Sequence, residues 1–355
     1  MAKISYAQYQ DLLTDPDTPD EVIAAFITFE GPDGQRLSGD AAFDPVFMPD
    51  PDRVDMTDAQ LEVESAMRIG NGVARWRRNM RFRRALRRGD SRPVLVAEGD
   101  SWFQFPFVIR ETIDHLGEDY LIHCLSAAGD TAQNMVFGHL GRGGQEYLAE
   151  LDALAGQVRA FLFSAAGNDI IGEDVEAGDG TPVLSSLLRA PGGDPSQPPS
   201  EPEPYIDQAA VTARLGELDR AYRHVIAQIR SRPHFRELPI LVHGYDVPFP
   251  HPWGDEDRRN PRWAASDQWL GRAFAGAGVE GPVRQRILRN LIDQLYAMLD
   301  RLAVDDDHVH VVDCRGALPH LVDWADEIHA TSTSYAAVAA RFRNRLASLG
   351  IGQTA

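Results

Sequence analysis

Val94 to Phe103 reads VLVAEGDSWF: a short apolar run, then Gly99-Asp100-Ser101, then two aromatic residues. Glycine and aspartate are turn formers, so the run predicts a buried strand that ends in a tight turn. A hydroxyl at the carboxyl end of such a strand also stands where an α/β fold would hold a nucleophile. Four more apolar runs follow at intervals: YLIHCLSAAG (120–129), RAFLFSAAGND (159–169), LPILVHGYD (238–246) and HVHVVDC (308–314). Helical stretches alternate with them, around Phe107 to Leu116, Gln145 to Leu154, Ala209 to Arg232, Val283 to Leu302 and Ser334 to Leu349. Five apolar runs separated by helices predict a parallel sheet covered on both faces.

The chain has 355 residues, 43% hydrophobic and 25% charged, an ordinary globular composition. Its formal charge of −18 argues against a protein that coats nucleic acid, which needs a net positive surface. Cys124 and Cys314 both lie in apolar runs and read as buried free thiols. No signal-peptide core or membrane-length apolar run is present, and the expected location is the cytoplasm. Residues 1–90 read as an acidic, turn-rich accessory region that ends in an arginine-rich helix, and residues 91–355 as the main domain. Two insertions interrupt that domain. Residues 178–204, rich in Pro, Gly and Ser, are expected to be largely exposed loop. Residues 246–282 carry three tryptophans, and both insertions are expected to wall or cover a site, the alternative being decoration packed against the N-terminal segment.

Four segments carry chemistry: EGDSWF, SAAGDTAQN, SAAGNDIIG and DWADEIHATSTSY. Acyl transfer needs a nucleophile, a base, a group that orients the base, and donors for the oxyanion. Ser101 supplies the hydroxyl. His329 supplies an imidazole that takes and returns a proton near neutral pH. Asp326, three residues earlier, is close enough to fix its tautomer. With all four segments in this order, residues from about 92 to the C-terminus resemble an SGNH hydrolase of the GDSL esterase/lipase superfamily. That resemblance implies a flavodoxin-like three-layer αβα sandwich with a five-stranded parallel sheet, the N-terminal extension lying outside it. It also implies an oxyanion hole made of the Ser101 N–H, the Gly129 N–H and the Asn168 side chain. Three positions depart from the family pattern: Ala330 stands where a proline often follows the histidine, Ser334 where a glycine is common, and Trp102 where an aliphatic residue usually follows the serine.

The implied activity is hydrolysis of carboxylic esters of lipids, sugars or small alcohols through an acyl-enzyme, with no cofactor. Two alternatives are a catalytically silent binding protein of the same fold, and a hydrolase recruited to lipid or polyanion by its arginine-rich segment. Trp102, Trp253, Trp263 and Trp269 are candidate substrate contacts, although core packing is the preferred reading of Trp102. Asp100 is expected to shape the nucleophile turn, and Asp169 to orient the asparagine loop or cap a helix. The histidines show no metal-ligand spacing, so no metal is expected. In ARWRRNMRFRRALRR (74–88) the arginines are expected to pair with the chain's own acidic excess, contact with an anionic surface being the alternative. Partners are therefore expected to be a small-molecule, lipid or carbohydrate ester.

Overall fold

The structure, a computed structural model, describes residues 3–28, 47–56, 70–105, 107, 109–138, 145–172, 181–192, 197–251, 253–255, 257–259 and 270–352. Five parallel strands form the central sheet: β1 (Val94–Gly99), β2 (Leu121–Cys124), β3 (Val158–Ser164), β4 (Ile240–His243) and β5 (Val309–Val312). Their order across the sheet is β2-β1-β3-β4-β5, the flavodoxin-like arrangement. Register pairs Ala97 with Cys124, Gly99 with Ser164 and His243 with Val312. The strand order reverses beside β1, so the turns that leave β1, β2 and β3 open onto one crevice at the carboxyl edge.

Alternation along β1 divides the core. Val94 and Val96 point into one cluster with Phe161, Phe163, Ile240 and Val242. Leu95 and Ala97 point into the other with Ala160, Leu162 and Leu241. The first cluster is covered by helices α1 (Gly70–Arg87, through Phe82), α2 (Ala132–Phe137), α3 (Glu146–Ala153), α4 (Gln208–Arg230) and α5 (Val283–Asp305). The second is covered by α6 (Tyr335–Ser348) and a short helix, Thr112–Leu116. This is a three-layer αβα sandwich. Cys124 and Cys314 are buried free thiols.

Two expectations need correction. The helix expected from Phe107 occupies only Thr112–Leu116. Phe107 sits at φ 63°, outside the helical region. In the first insertion, Val183–Leu187 is a helix whose Val183, Leu184 and Leu187 are buried. These leucines join Leu270, Phe274 and Leu288 in a third apolar cluster, so that stretch is core and not loop. In the second insertion, Gly271–Gly276 is a helix that buries Phe274 in the same cluster.

The arginine-rich segment is α1, packed against the sheet edge at β2. Its arginines pair inward. Arg75 meets Glu146, Arg78 meets Glu111 and Asp114, Arg81 meets Asp20, Arg83 meets Glu150 and Arg84 meets Asp17. Arg77 is fully buried, donating to the carbonyls of Leu12, Leu13 and Asp15 at 3.0, 2.9 and 2.6 Å. The segment's charge is thereby largely spent on the protein itself. No helix among the described residues is long and apolar enough to cross a membrane.

Candidate active site

The turn after β1 requires its glycine. A Cβ on Gly99 would stand 2.6 Å from Ser164 Cβ and 2.8 Å from Ser164 O, because β1 and β3 converge there. Asp100 then makes the turn. Its N–H donates to Ser164 O (3.1 Å), and its Oδ1 accepts from Trp102 N–H (3.1 Å). Ser101 is held at the apex, 7% exposed.

His329 and Asp326 reach it from the far end of the chain. A bridge between Trp324 and Ala330, with the Ala325 N–H donating to His329 O (2.8 Å), folds 324–330 into a tight loop. Asp326 Oδ1 accepts from the backbone N–H groups of Ile328 (2.8 Å) and His329 (2.7 Å). Its Oδ2 lies 2.7 Å from His329 Nδ1, and His329 Nε2 lies 2.8 Å from Ser101 Oγ. A carboxylate on Nδ1 fixes the proton there and leaves Nε2 free to accept the serine proton. The Phe105 ring stands 4.5 Å from the imidazole and limits its rotation.

The three donors expected to serve the nucleophile are set by three separate turns. The Ala127 N–H donates to Gly99 O (2.9 Å), which sets the loop after β2 alongside the turn. Gly129 follows at φ +83°, a conformation that favours glycine. Asn168, after β3, donates one amide hydrogen to Asp130 O (2.8 Å) and keeps the other. Among the described residues the N–H groups of Ser101 and Gly129 have no acceptor. Buried or half-buried donors without acceptors are uncommon, and here the nucleophile and its two expected helpers all keep one.

Beneath the turn runs a second polar chain that sequence reasoning missed. Ser164 Oγ lies 2.8 Å from both Asp100 Oδ1 and His243 Nε2, while His243 Nδ1 donates to Gly244 O (2.5 Å). Tyr245 OH bonds to Asp100 Oδ2 and to Ala165 O (2.9 Å), and accepts from Gly167 N–H (2.8 Å). Burial pushes His243 down to about 4, so it is neutral at pH 7 with its one proton on Nδ1. Ser164 then has one proton for two acceptors. Burial also raises the Asp100 carboxyl. Nothing in the spacing of Ser164, His243 and Tyr245 announces this chain, because three strand ends assemble it.

A mostly apolar cavity of about 70 Å³ opens beside Ser101. Asn168, Ile170 and Ile171 form one wall, Leu288, Leu291, Ile292 and Leu295 of α5 another, and Ile328 and Trp324 a third. Trp102 is both core and wall: it is 3% exposed, packs edge-on to Tyr245 and Tyr335, donates from Nε1 to Ile328 O (3.0 Å), and borders the cavity. Trp253 packs edge-on to Phe249 at 5.2 Å and is not part of the cavity wall. Trp263 and Trp269 lie outside the described residues. Asp169 turns away from the cavity and accepts from Ala132 N–H (2.8 Å) at the start of α2. Glu327, fully buried, accepts from the N–H groups of His251 (2.9 Å) and Leu270 (3.1 Å). The second insertion is thereby tied to the Asp326–His329 loop, and burial pushes Glu327 up to about 8. Among the described residues no group of His, Cys, Asp and Glu is arranged to hold a metal.

Two solved esterase structures resemble the chain. One is a carbohydrate acetylesterase from Sinorhizobium meliloti, 14% identical, with 73% of this chain and 100% of that one covered at a TM-score of 0.41. The other is the inhibitor-bound aryl esterase of M. smegmatis, 14% identical, with 72% and 99% covered at a TM-score of 0.42. No protein-family model and no curated protein matches the chain.

Proposed function

We propose that this protein is a serine hydrolase of the SGNH type that cleaves carboxylic esters through an acyl-enzyme. The observation that carries the reading is the continuous relay Ser101–His329–Asp326, at 2.8 and 2.7 Å, beside N–H donors that have no acceptor of their own. Ser101 Oγ attacks the ester carbonyl carbon while His329 Nε2 takes its proton. The carbonyl oxygen becomes an oxyanion that faces the Ser101 and Gly129 N–H groups and the second Asn168 amide hydrogen. Collapse of the tetrahedral species expels the alcohol, which leaves with the proton from His329. Water then attacks the acyl-serine by the same route and releases the acid. Asp326 stays ionised throughout and stabilises the imidazolium.

The cavity supports an aliphatic acyl group. Its walls are Ile and Leu side chains, and His329, which must protonate the departing alcohol, is not one of them. The test is a p-nitrophenyl ester series from acetate to dodecanoate with the parent and with Ser101→Ala. The reading expects hydrolysis by the parent and its loss, with an unchanged melting temperature, in Ser101→Ala. Equal activity in the two proteins would overturn it.

A further inference from the structure

The resemblance that points to Ser101, Gly129 and Asn168 begins at about residue 92. One residue before that boundary is nonetheless built into the second oxyanion loop. Asn71, at the start of α1 and 6% exposed, meets the backbone of Ala128 with both ends of its amide. Its Oδ1 accepts from Ala128 N–H (2.9 Å), and its Nδ2 donates to Ala128 O (3.0 Å).

The second of these bonds reaches Gly129. The carbonyl of Ala128 and the N–H of Gly129 belong to one planar trans peptide, so the two groups point in opposite directions. Whatever holds the carbonyl holds the N–H. Gly129, at φ +83°, has the conformational freedom to let that peptide flip if nothing restrains it. Across the peptide from Asn71, the Gly129 N–H has no acceptor among the described residues, and the loop that carries it runs beside the nucleophile turn through the Ala127–Gly99 bond. A donor is thus kept free on one side of a peptide while a buried side chain grips the other. The same helix steadies the chain after Ser101 as well: Arg78 Nη1 donates to Phe103 O (2.9 Å), and Gln104 Nε2 reaches Asn71 O (3.4 Å).

We infer that Asn71 is a positioning residue for catalysis: by gripping the Ala128 carbonyl it aims the Gly129 N–H at the developing oxyanion. The inference rests on the proposed hydrolase reading and places part of the machinery in the N-terminal ninety residues. Asn71 touches no reacting atom, so its loss should lower the rate of the chemical step and leave substrate affinity nearly alone.

The experiment compares the parent with Asn71→Ala, which removes both bonds, and Asn71→Asp, which keeps an acceptor for Ala128 N–H but sets a carboxylate against Ala128 O. Both variants should lose about tenfold to a hundredfold in kcat, somewhat less than the outright loss of one oxyanion donor. KM should stay within about threefold of the parent. Affinity for an alkyl boronic acid, which forms a tetrahedral adduct on Ser101 with an oxygen in the same hole, should fall by a factor similar to that in kcat. In Asn71→Asp the ratio of variant to parent kcat should rise as pH is lowered, because a protonated carboxyl again offers a donor to Ala128 O. A loosened fold would not follow that pattern. If Asn71→Ala does not fold, Asn71→Asp with its pH profile decides alone. A folded Asn71→Asp with parental kcat, or with lowered kcat and parental boronate affinity, would overturn the inference while leaving a Ser101-dependent esterase intact. Absence of Ser101-dependent hydrolysis in the parent would overturn the underlying reading as well.

Discussion

Asp169 offers a test in which burial and hydrogen bonding pull in opposite directions. Its carboxyl is buried next to Asn168 and accepts from Ala132 N–H at 2.8 Å, at the amino end of α2. Burial outweighs that bond and moves the group from 3.8 to about 6. Each pH unit of such a move is worth about 1.4 kcal/mol, so the charge at 169 costs the folded state about 3 kcal/mol. The sign follows from proton binding. Between about pH 4 and 6 the folded protein holds a proton that the unfolded chain has released, so stability falls as pH rises through that window and stays reduced above it. Asp169→Asn keeps an oxygen for Ala132 N–H and carries no charge. It should raise unfolding free energy at pH 7.5 by roughly 2–3 kcal/mol and remove this contribution to the slope between pH 4 and 6. Denaturant melts of both proteins from pH 4 to 8 measure it. A variant less stable than the parent at pH 7.5 would mean that the bonds to the start of α2 exceed the cost of burial, and would refute the reasoning.

Three further outcomes are expected. Asp326→Asn puts an amide hydrogen against His329 Nδ1, drives the ring proton onto Nε2 and blocks acceptance from Ser101; steady-state kinetics should show kcat down by about 10⁴-fold with the fold retained. Arg77→Ala strips the partner from the carbonyls of Leu12, Leu13 and Asp15 and should cost roughly 3–5 kcal/mol in denaturant unfolding. Ile292→Trp narrows the cavity from α5, and the ratio of kcat/KM for hexanoate over acetate esters should fall about tenfold, the equivalent of roughly two buried methylenes.

Much of this architecture is legible in the sequence because it rests on local signals. The five apolar runs alternate or end in turn residues, and each became a strand of the sheet. Ser101, Asp326 and His329 could be named because each stands beside such a signal, and the structure brings the three side chains into one hydrogen-bonded line. What was hidden is non-local. Asn71 faces Ala128 across 57 residues, and Ser164 joins Asp100 to His243 across strands that share only register. No periodicity marks a polar side chain that grips a distant backbone. Glu327 is similar: next to Asp326 in sequence it reads as one more acidic residue, yet its bonds to His251 and Leu270 anchor the second insertion. Phe107 misled for the opposite reason: it stands in a stretch of helical composition, yet its φ of 63° is not helical.

The most direct test of the central claim is covalent trapping. An alkyl fluorophosphonate should react once per chain, peptide mass spectrometry should place the adduct on Ser101, and labelling should vanish in Ser101→Ala and slow greatly in His329→Ala. An adduct on another residue, or labelling that persists without Ser101, would contradict the account.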